Sequence, residues 1–184
     1  LVVLIALPLI LPGYRIFTVN YMAIFVIVGL GMNLLIGDTG QVSLGHAGFL
    51  AVGAYTTVLM MTELGAPFPL ALPVGGLVTA GFGFLLGLPA LRLQGPYLAI
   101  VTLGFGIAIT QIIGHSAFFG GHMGLVVPTA TLGPISLSGD VSQYYVIVGT
   151  ALVLALCARN LSVTRVGRAF RAVRDSEIAA ATMG

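Results

Sequence analysis

The segment RNLSVTRVGRAFRAVRDSEIAAATMG, residues 159–184, decides how the rest of the chain is read. It holds five of the seven arginines (Arg159, Arg165, Arg168, Arg171 and Arg174) and two of the five acids, Asp175 and Glu177. The residues before it are almost uncharged. Of all 184 residues, 58% are hydrophobic and 7% charged, whereas a soluble domain carries about 25% charged residues. So little charge cannot cover a water-facing surface, so lipid must be the solvent. A greasy chain with a basic, helix-prone polar segment at one end reads as a polytopic, all-α bundle of transmembrane helices presenting its cytoplasmic face.

Within the segment, Val166, Phe170 and Val173 fall at i, i+4 and i+7, which puts them on one stripe of a helix. The arginines from 165 to 174 step by three and spread around the remaining surface. Gly167 weakens this helix, and Asp175-Ser176 interrupts it, because Asp and Ser compete for backbone hydrogen bonds and favour caps. From Glu177 onward the alanines restore helix propensity. Two readings fit. One is a helix lying on the anionic inner leaflet, each Arg contributing about 1 kcal/mol of attraction. The other is a docking helix for a cytoplasmic partner, in which Ala179 and Ala180 allow close approach and the charges set the register.

Working outward, the apolar stretches predict about six spans, near 1–12, 16–36, 46–62, 70–90, 97–113 and 144–158. The first is shorter than the ~20 residues a span needs and reads as part of a truncated helix. A basic n-region and a small-residue cleavage site are both missing from it, so it does not read as a signal peptide. Gly45, Gly48 and Gly53 offer close helix approach. Residues 114–141, with His115, His122, Asp140 and two prolines, lack a sustained apolar run and read as a long external loop. Tyr144-Tyr145 and Arg159 anchor the last span at its two interfaces. Placing residues 159–184 in the cytoplasm and alternating the spans puts the N-terminus inside. Six arginines then lie inside and Arg15 outside, as the positive-inside rule requires. Residues 37–45 are read either as a cytoplasmic turn or as a break at membrane depth, which would change the parity upstream.

Several chemistries find no support. The chain has no lysine and hence no phosphate-binding Gly-x-x-x-x-Gly-Lys-Ser/Thr loop, so any ATP is hydrolysed on another subunit and no cofactor is expected here. No metal site is expected, because His115 and His122 have only Asp140 nearby and the single cysteine, Cys157, sits in an apolar run. No nucleophile–base motif occurs, so the chain does not read as an enzyme. The basic cluster lacks any nucleic-acid-binding context, so no nucleic acid is expected. The best site candidate is Asp38 to His46. Its glycines permit irregular backbone, and broken helices turn carbonyls and N–H groups toward a substrate. A plain hydrophilic turn, with His46 capping a helix, is the alternative.

The run GQVSLGHAGF (Gly40 to Phe49), with Gly53-Ala54-Tyr55, resembles the Gly-Gln-x-Ser-Leu-Gly-His-Ala signature of the branched-chain amino acid permease family of ABC transporters. Leu91-Arg92-Leu93-Gln94-Gly95-Pro96-Tyr97 fits the same family. So does Phe119-Gly120-Gly121-His122-Met123-Gly124-Leu125, which is similar to an external segment of it. Ser176 to Gly184 resembles its Glu-Ala-Ala…Gly coupling loop. The resemblance implies a permease subunit that imports branched-chain or related small amino acids. Partners would be separate ATPase subunits, a second homologous permease and a periplasmic or lipid-anchored binding protein, in a bacterial inner (plasma) membrane. It implies a substrate pathway past Gln41, Ser43, Gly45, His46 and Tyr55, and binding-protein docking around Gly120, Gly121 and Gly124. ATPase coupling would run through Arg168, Arg171, Arg174, Glu177, Ala179, Ala180 and Gly184. Family members are longer, so the chain is expected to lack the last helices. Within the superfamily, urea or short amides are alternative cargoes. From another class, an ATP-independent transporter or channel explains the glycine-rich helices as well.

Overall fold

A computed structural model describes residues 7–8, 12–90, 96–132, 135–176, 179–180 and 182. They form α1 (Gly13–Met32), which runs on into a π-helical stretch (Asn33–Asp38), then α2 (His46–Thr62), α3 (Phe68–Ala90), α4 (Pro96–His115), α5 (Asp140–Val163) and α6 (Arg165–Asp175). Between α4 and α5 lie two single 3-10 turns, Ala117–Phe119 and Gly121–Met123, and a minimal antiparallel pairing of β1 (Thr131–Leu132) with β2 (Ile135–Ser136). Among the described residues, four helical stretches are long and apolar enough to cross a membrane: Gly13–Asp38, Phe68–Pro89, Tyr97–His115 and Asp140–Val163. The shorter His46–Thr62 helix is also apolar. The protein is an all-α, multi-pass helical membrane bundle. The first expected span falls mainly on residues outside those described, as does the turn carrying Arg92.

Some helices outrun their apolar stretches. The last long helix starts at Asp140 and ends at Val163, where hydropathy marks only 144–158. Asp140 in its first turn suits the positive end of the helix dipole, so the backbone ladder extends beyond the greasy part. α3 starts at Phe68 with Pro69 in its first turn, where a proline's missing N–H costs nothing.

The chain divides into two compact units, residues 1–41 with 137–184, and residues 42–136. In the first, α1 and α5 run parallel. Asn20 Nδ2 donates to Asp140 O at 3.0 Å near their starts, and Ser162 Oγ donates to Asp38 Oδ2 at 2.6 Å near their ends. Ile16, Asn20 and Tyr144 are buried between them, while Phe17, Tyr21, Met22, Phe25 and Val26 on α1 stay exposed. An exposed apolar face of this size is a fault in water and ordinary in lipid.

In the second unit, α2 runs antiparallel to α3 and parallel to α4. Two Gly-x-x-x-Thr blocks meet face to face. A Cβ on Gly53 would come 3.0 Å from Thr79 Oγ1, and one on Gly75 would strike Thr57 Oγ1 and come 2.9 Å from Gly53 O. Each threonine donates to its own glycine's carbonyl, Thr57 to Gly53 and Thr79 to Gly75, both at 2.8 Å. The hydroxyls are thus satisfied within their helices, and the glycines let the backbones close in. On the other side of α2, a Cβ at Gly48 would lie 2.9 Å from Gly106 Cα and 3.0 Å from the Phe105 ring. Phe49 and Phe105 stack beside this crossing with centroids 4.8 Å apart.

Candidate functional site

The Gly40–His46 stretch takes its shape from glycine. Gly40 has φ +70°, a left-handed conformation that ends the preceding helix. Its N–H donates to Ile36 O and that of Gln41 to Leu35 O, at 3.1 and 3.2 Å. Residues 41–45 are then non-helical until α2 begins at His46. Gln41 is exposed, whereas Ser43 is buried and its Oγ accepts from Gly45 N at 3.4 Å. Buried Thr102 on α4 holds this stretch: its Oγ1 accepts from Leu44 N and donates to Ala99 O, both at 3.0 Å. A Cβ on Gly45 would come 2.8 Å from Thr102 O, so only glycine fits. His46 Nδ1 is buried with no hydrogen-bond partner among the described residues. Ser43, Gly45 and His46 are therefore gathered at the start of α2, next to α4.

Tyr55 is not part of that cluster. It lies nine residues along α2 from His46, about two and a half turns and roughly 180° around the helix. Its ring meets Phe119 edge-on at 5.8 Å, and its hydroxyl would lie 3.9 Å from a Cβ on Gly124. The glycines of the 114–124 region form one tight turn, with φ of +77°, +55° and +73° at Gly120, Gly121 and Gly124. A Cβ at Gly120 would strike Gly124 O. Beside it is a shallow hollow lined by Gly114, His115, Ala117, Gly120 and Gly121.

The arginine-rich segment folds back on its own unit. α6 follows α5 after a single residue, and Gly167 is buried where a Cβ would strike Ser162 O. The glycine that weakens helix propensity is thus what permits the sharp joint. The helix ends at Asp175, and Ser176 caps the next turn, its Oγ accepting from Ala179 N at 3.2 Å and its carbonyl from Ala180 N at 2.9 Å. Arg174 is exposed but reaches back to the end of α1: Nη1 donates to Gly37 O at 2.6 Å, and Nη2 lies 3.5 Å from Asp175 Oδ1. A Cβ at Gly40 would come 2.7 Å from Arg174 Cγ. Arg168 is exposed and Arg171 half-buried. Glu177 and Gly184 lie outside the described residues.

A family model described as "Branched-chain amino acid transport system / permease component" matches residues 14–184. The chain belongs to this permease family. One relative is the high-affinity branched-chain amino acid transport system permease protein LivM of Salmonella typhimurium (strain LT2), 35% identical over 100% of this chain and 49% of the relative. LivM of Escherichia coli (strain K12) is 34% identical over the same shares. The chain spans about half the length of these curated relatives. No solved structure matches it significantly.

The permease-family match runs through all the resembling segments, from Gly40–Phe49 to the arginine-rich end. Three residues that shape these segments escaped the sequence reading. They are Thr102, Ser162 and Gly37. The threonine pair facing Gly53 and Gly75 was legible in principle, because Gly53/Thr57 and Gly75/Thr79 repeat one spacing. Ser162 carries no local signal, since its partner Asp38 is 124 residues away.

Proposed function

We propose that the chain forms part of the membrane-spanning permease subunit of an ATP-driven importer for branched-chain or related small amino acids. The observation that carries this is one continuous family match over residues 14–184, which takes in both the glycine-rich signature and the basic segment. ATP is hydrolysed on separate ATPase subunits, and this chain binds no cofactor. A second homologous permease completes the pathway, and a periplasmic or lipid-anchored binding protein delivers the amino acid. The complex sits in the bacterial inner membrane, with the N-terminus and residues 159–184 on the cytoplasmic side. The clustered arginines support the placing of residues 159–184, and the parallel course of α1 with α5 agrees with the Asp38 end of α1 lying on the same side.

In this reading the cargo passes the non-helical backbone at Gln41, Ser43, Gly45 and His46, where the unpartnered His46 Nδ1 supplies a polar group beside a helix start. Tyr55 acts further along with the Gly120–Gly124 turn, on the side where the binding protein docks. The segment with Arg168, Arg171, Glu177, Ala179, Ala180 and Gly184 meets the ATPase and converts its closure into rocking of the helices. The test uses the full-length permease reconstituted in liposomes with its ATPase, second permease and binding protein. ATP-dependent uptake of leucine, and its absence with urea or short amides, is the expected result. Uptake that proceeds without the ATPase would replace this reading with a secondary transporter.

A further inference from the structure

The geometry points to Arg174 as a positioning residue that ties the coupling helix to the end of α1, so that α6 and the Gly37–Gly40 turn move as one piece. The inference rests on the importer reading above and gives Arg174 a different task from a contact with the ATPase.

Three observations converge on this joint. First, the Arg174 side chain, although exposed, folds back toward the end of α1. It donates to Gly37 O at 2.6 Å, one of the last carbonyls of the helical run that starts at Gly13. A cation there satisfies an orphan acceptor and suits the negative end of the helix dipole. Second, the stem of the same side chain lies over Gly40, with no room for a Cβ. Third, the run beneath it is π-helical from Asn33 to Asp38. Single π turns are less stable than α-helix and mark places where a helix can change its winding. Here Thr39 Oγ1 back-bonds to Leu35 O, and a Cβ at Gly37 would come 2.7 Å from Asn33 Oδ1. Asp38 adds a second link on the same turn, through Ser162 at the end of α5.

Beyond this joint the chain enters Gly40–His46 directly. A displacement of α6 that carries Gly37 and Gly40 with it would rewind the π stretch and pull on the segment that holds Gln41 and Ser43. A guanidinium suits this task better than an ammonium, because its fixed fork of donors bridges Gly37 O and Asp175 together.

The test measures ATP hydrolysis and amino-acid uptake in the same reconstituted full-length complex. If the unaltered complex shows no ATP-dependent uptake, the importer reading fails and the joint falls with it. If it does, the joint is judged by the uptake-to-hydrolysis ratio. Arg174→Gln should lower that ratio roughly tenfold, as expected for losing a charge-assisted hydrogen bond, with hydrolysis retained. Arg174→Lys should recover part of it, and Arg159→Gln, an exposed arginine at the end of α5 outside the coupling segment, should leave the ratio unchanged. Gly40→Ala, which disturbs the same joint without touching a charge, should lower the ratio too and serves where Arg174→Gln does not assemble. Hydrogen exchange of residues 35–41 should also speed up in Arg174→Gln. An unchanged ratio in both Arg174→Gln and Gly40→Ala, or an equal loss in Arg159→Gln, would overturn the proposal.

Discussion

The two units of this chain differ in the emphasis of what holds their helices together. In residues 42–136, α2 meets its neighbours through missing side chains: Gly48 against Gly106, and Gly53 and Gly75 against each other's threonines. In the unit built from α1, α5 and α6, three side-chain tethers join the elements beside the packing of Ile16 and Tyr144: Asn20 to Asp140, Ser162 to Asp38 and Arg174 to Gly37. Both solve the same problem. Lipid gives apolar faces no reason to prefer one another, so helices associate through close packing or through polar links. Close packing makes a stiff contact that fails when atoms are added. Tethers make a contact that fails when atoms are removed, and they can be made and broken. The tethered unit also carries the arginine-rich segment, the part that must move under the proposed importer reading.

That contrast can be broken by substitutions of opposite kinds. The largest effect is expected from Gly75→Leu, which drives a side chain into Thr57 and the Gly53 carbonyl and should cost about 3 kcal/mol. Steric-trapping measurements of unfolding in bicelles would detect it, and a cost near zero would show that α2 and α3 do not close on these glycines. Next comes Asp38→Ala, which removes the Ser162 link and should cost about 1.5 kcal/mol by the same method. Equal stability to the parent would mean that the tether contributes nothing. Thr57→Ala should cost only about 0.6 kcal/mol, because the hydroxyl bonds within its own helix. A loss as large as that at Gly75 would mean the threonine, rather than the glycine, holds the crossing. Gly31→Ala should run the other way. A Cβ there meets nothing within 4 Å, so alanine should stabilise α1 by about 0.5 kcal/mol, visible as a small rise in melting temperature.

Much of the fold was legible because hydropathy and glycine spacing are local signals. The long helices follow their apolar stretches, and Gly45, Gly48 and Gly53 each mark a close contact, as small residues at a helix surface suggest. The amphipathic stripe of Val166, Phe170 and Val173 gave α6, and Asp175-Ser176 gave its end. Helix boundaries were less legible, because polar residues such as Asp140 extend a helix without extending its hydropathy. The winding of Asn33–Asp38 was not legible, since a π turn differs from an α turn by one residue and has no compositional mark. The candidate site was legible as a stretch and not as a constellation. Tyr55 stands in the family signature beside His46, yet the helix carries it to the opposite side, against Phe119 and Gly124. Arg174 looked like one of a series of outward cations, because sequence cannot show that Gly37 O lies within its reach.

The most direct test of the central claim is a cross-link between the coupling segment and the ATPase. In the full-length permease Cys157 is replaced by Ser and Ala180 by Cys, and the ATPase carries single cysteines along the groove of its helical domain. A cross-link at one groove position, with a yield that differs between ATP-bound and ATP-free complexes, is the result expected of an ATP-coupled permease. No cross-link at any position, from a protein correctly folded in the membrane, would make residues 165–184 a lipid-surface helix and contradict the importer reading.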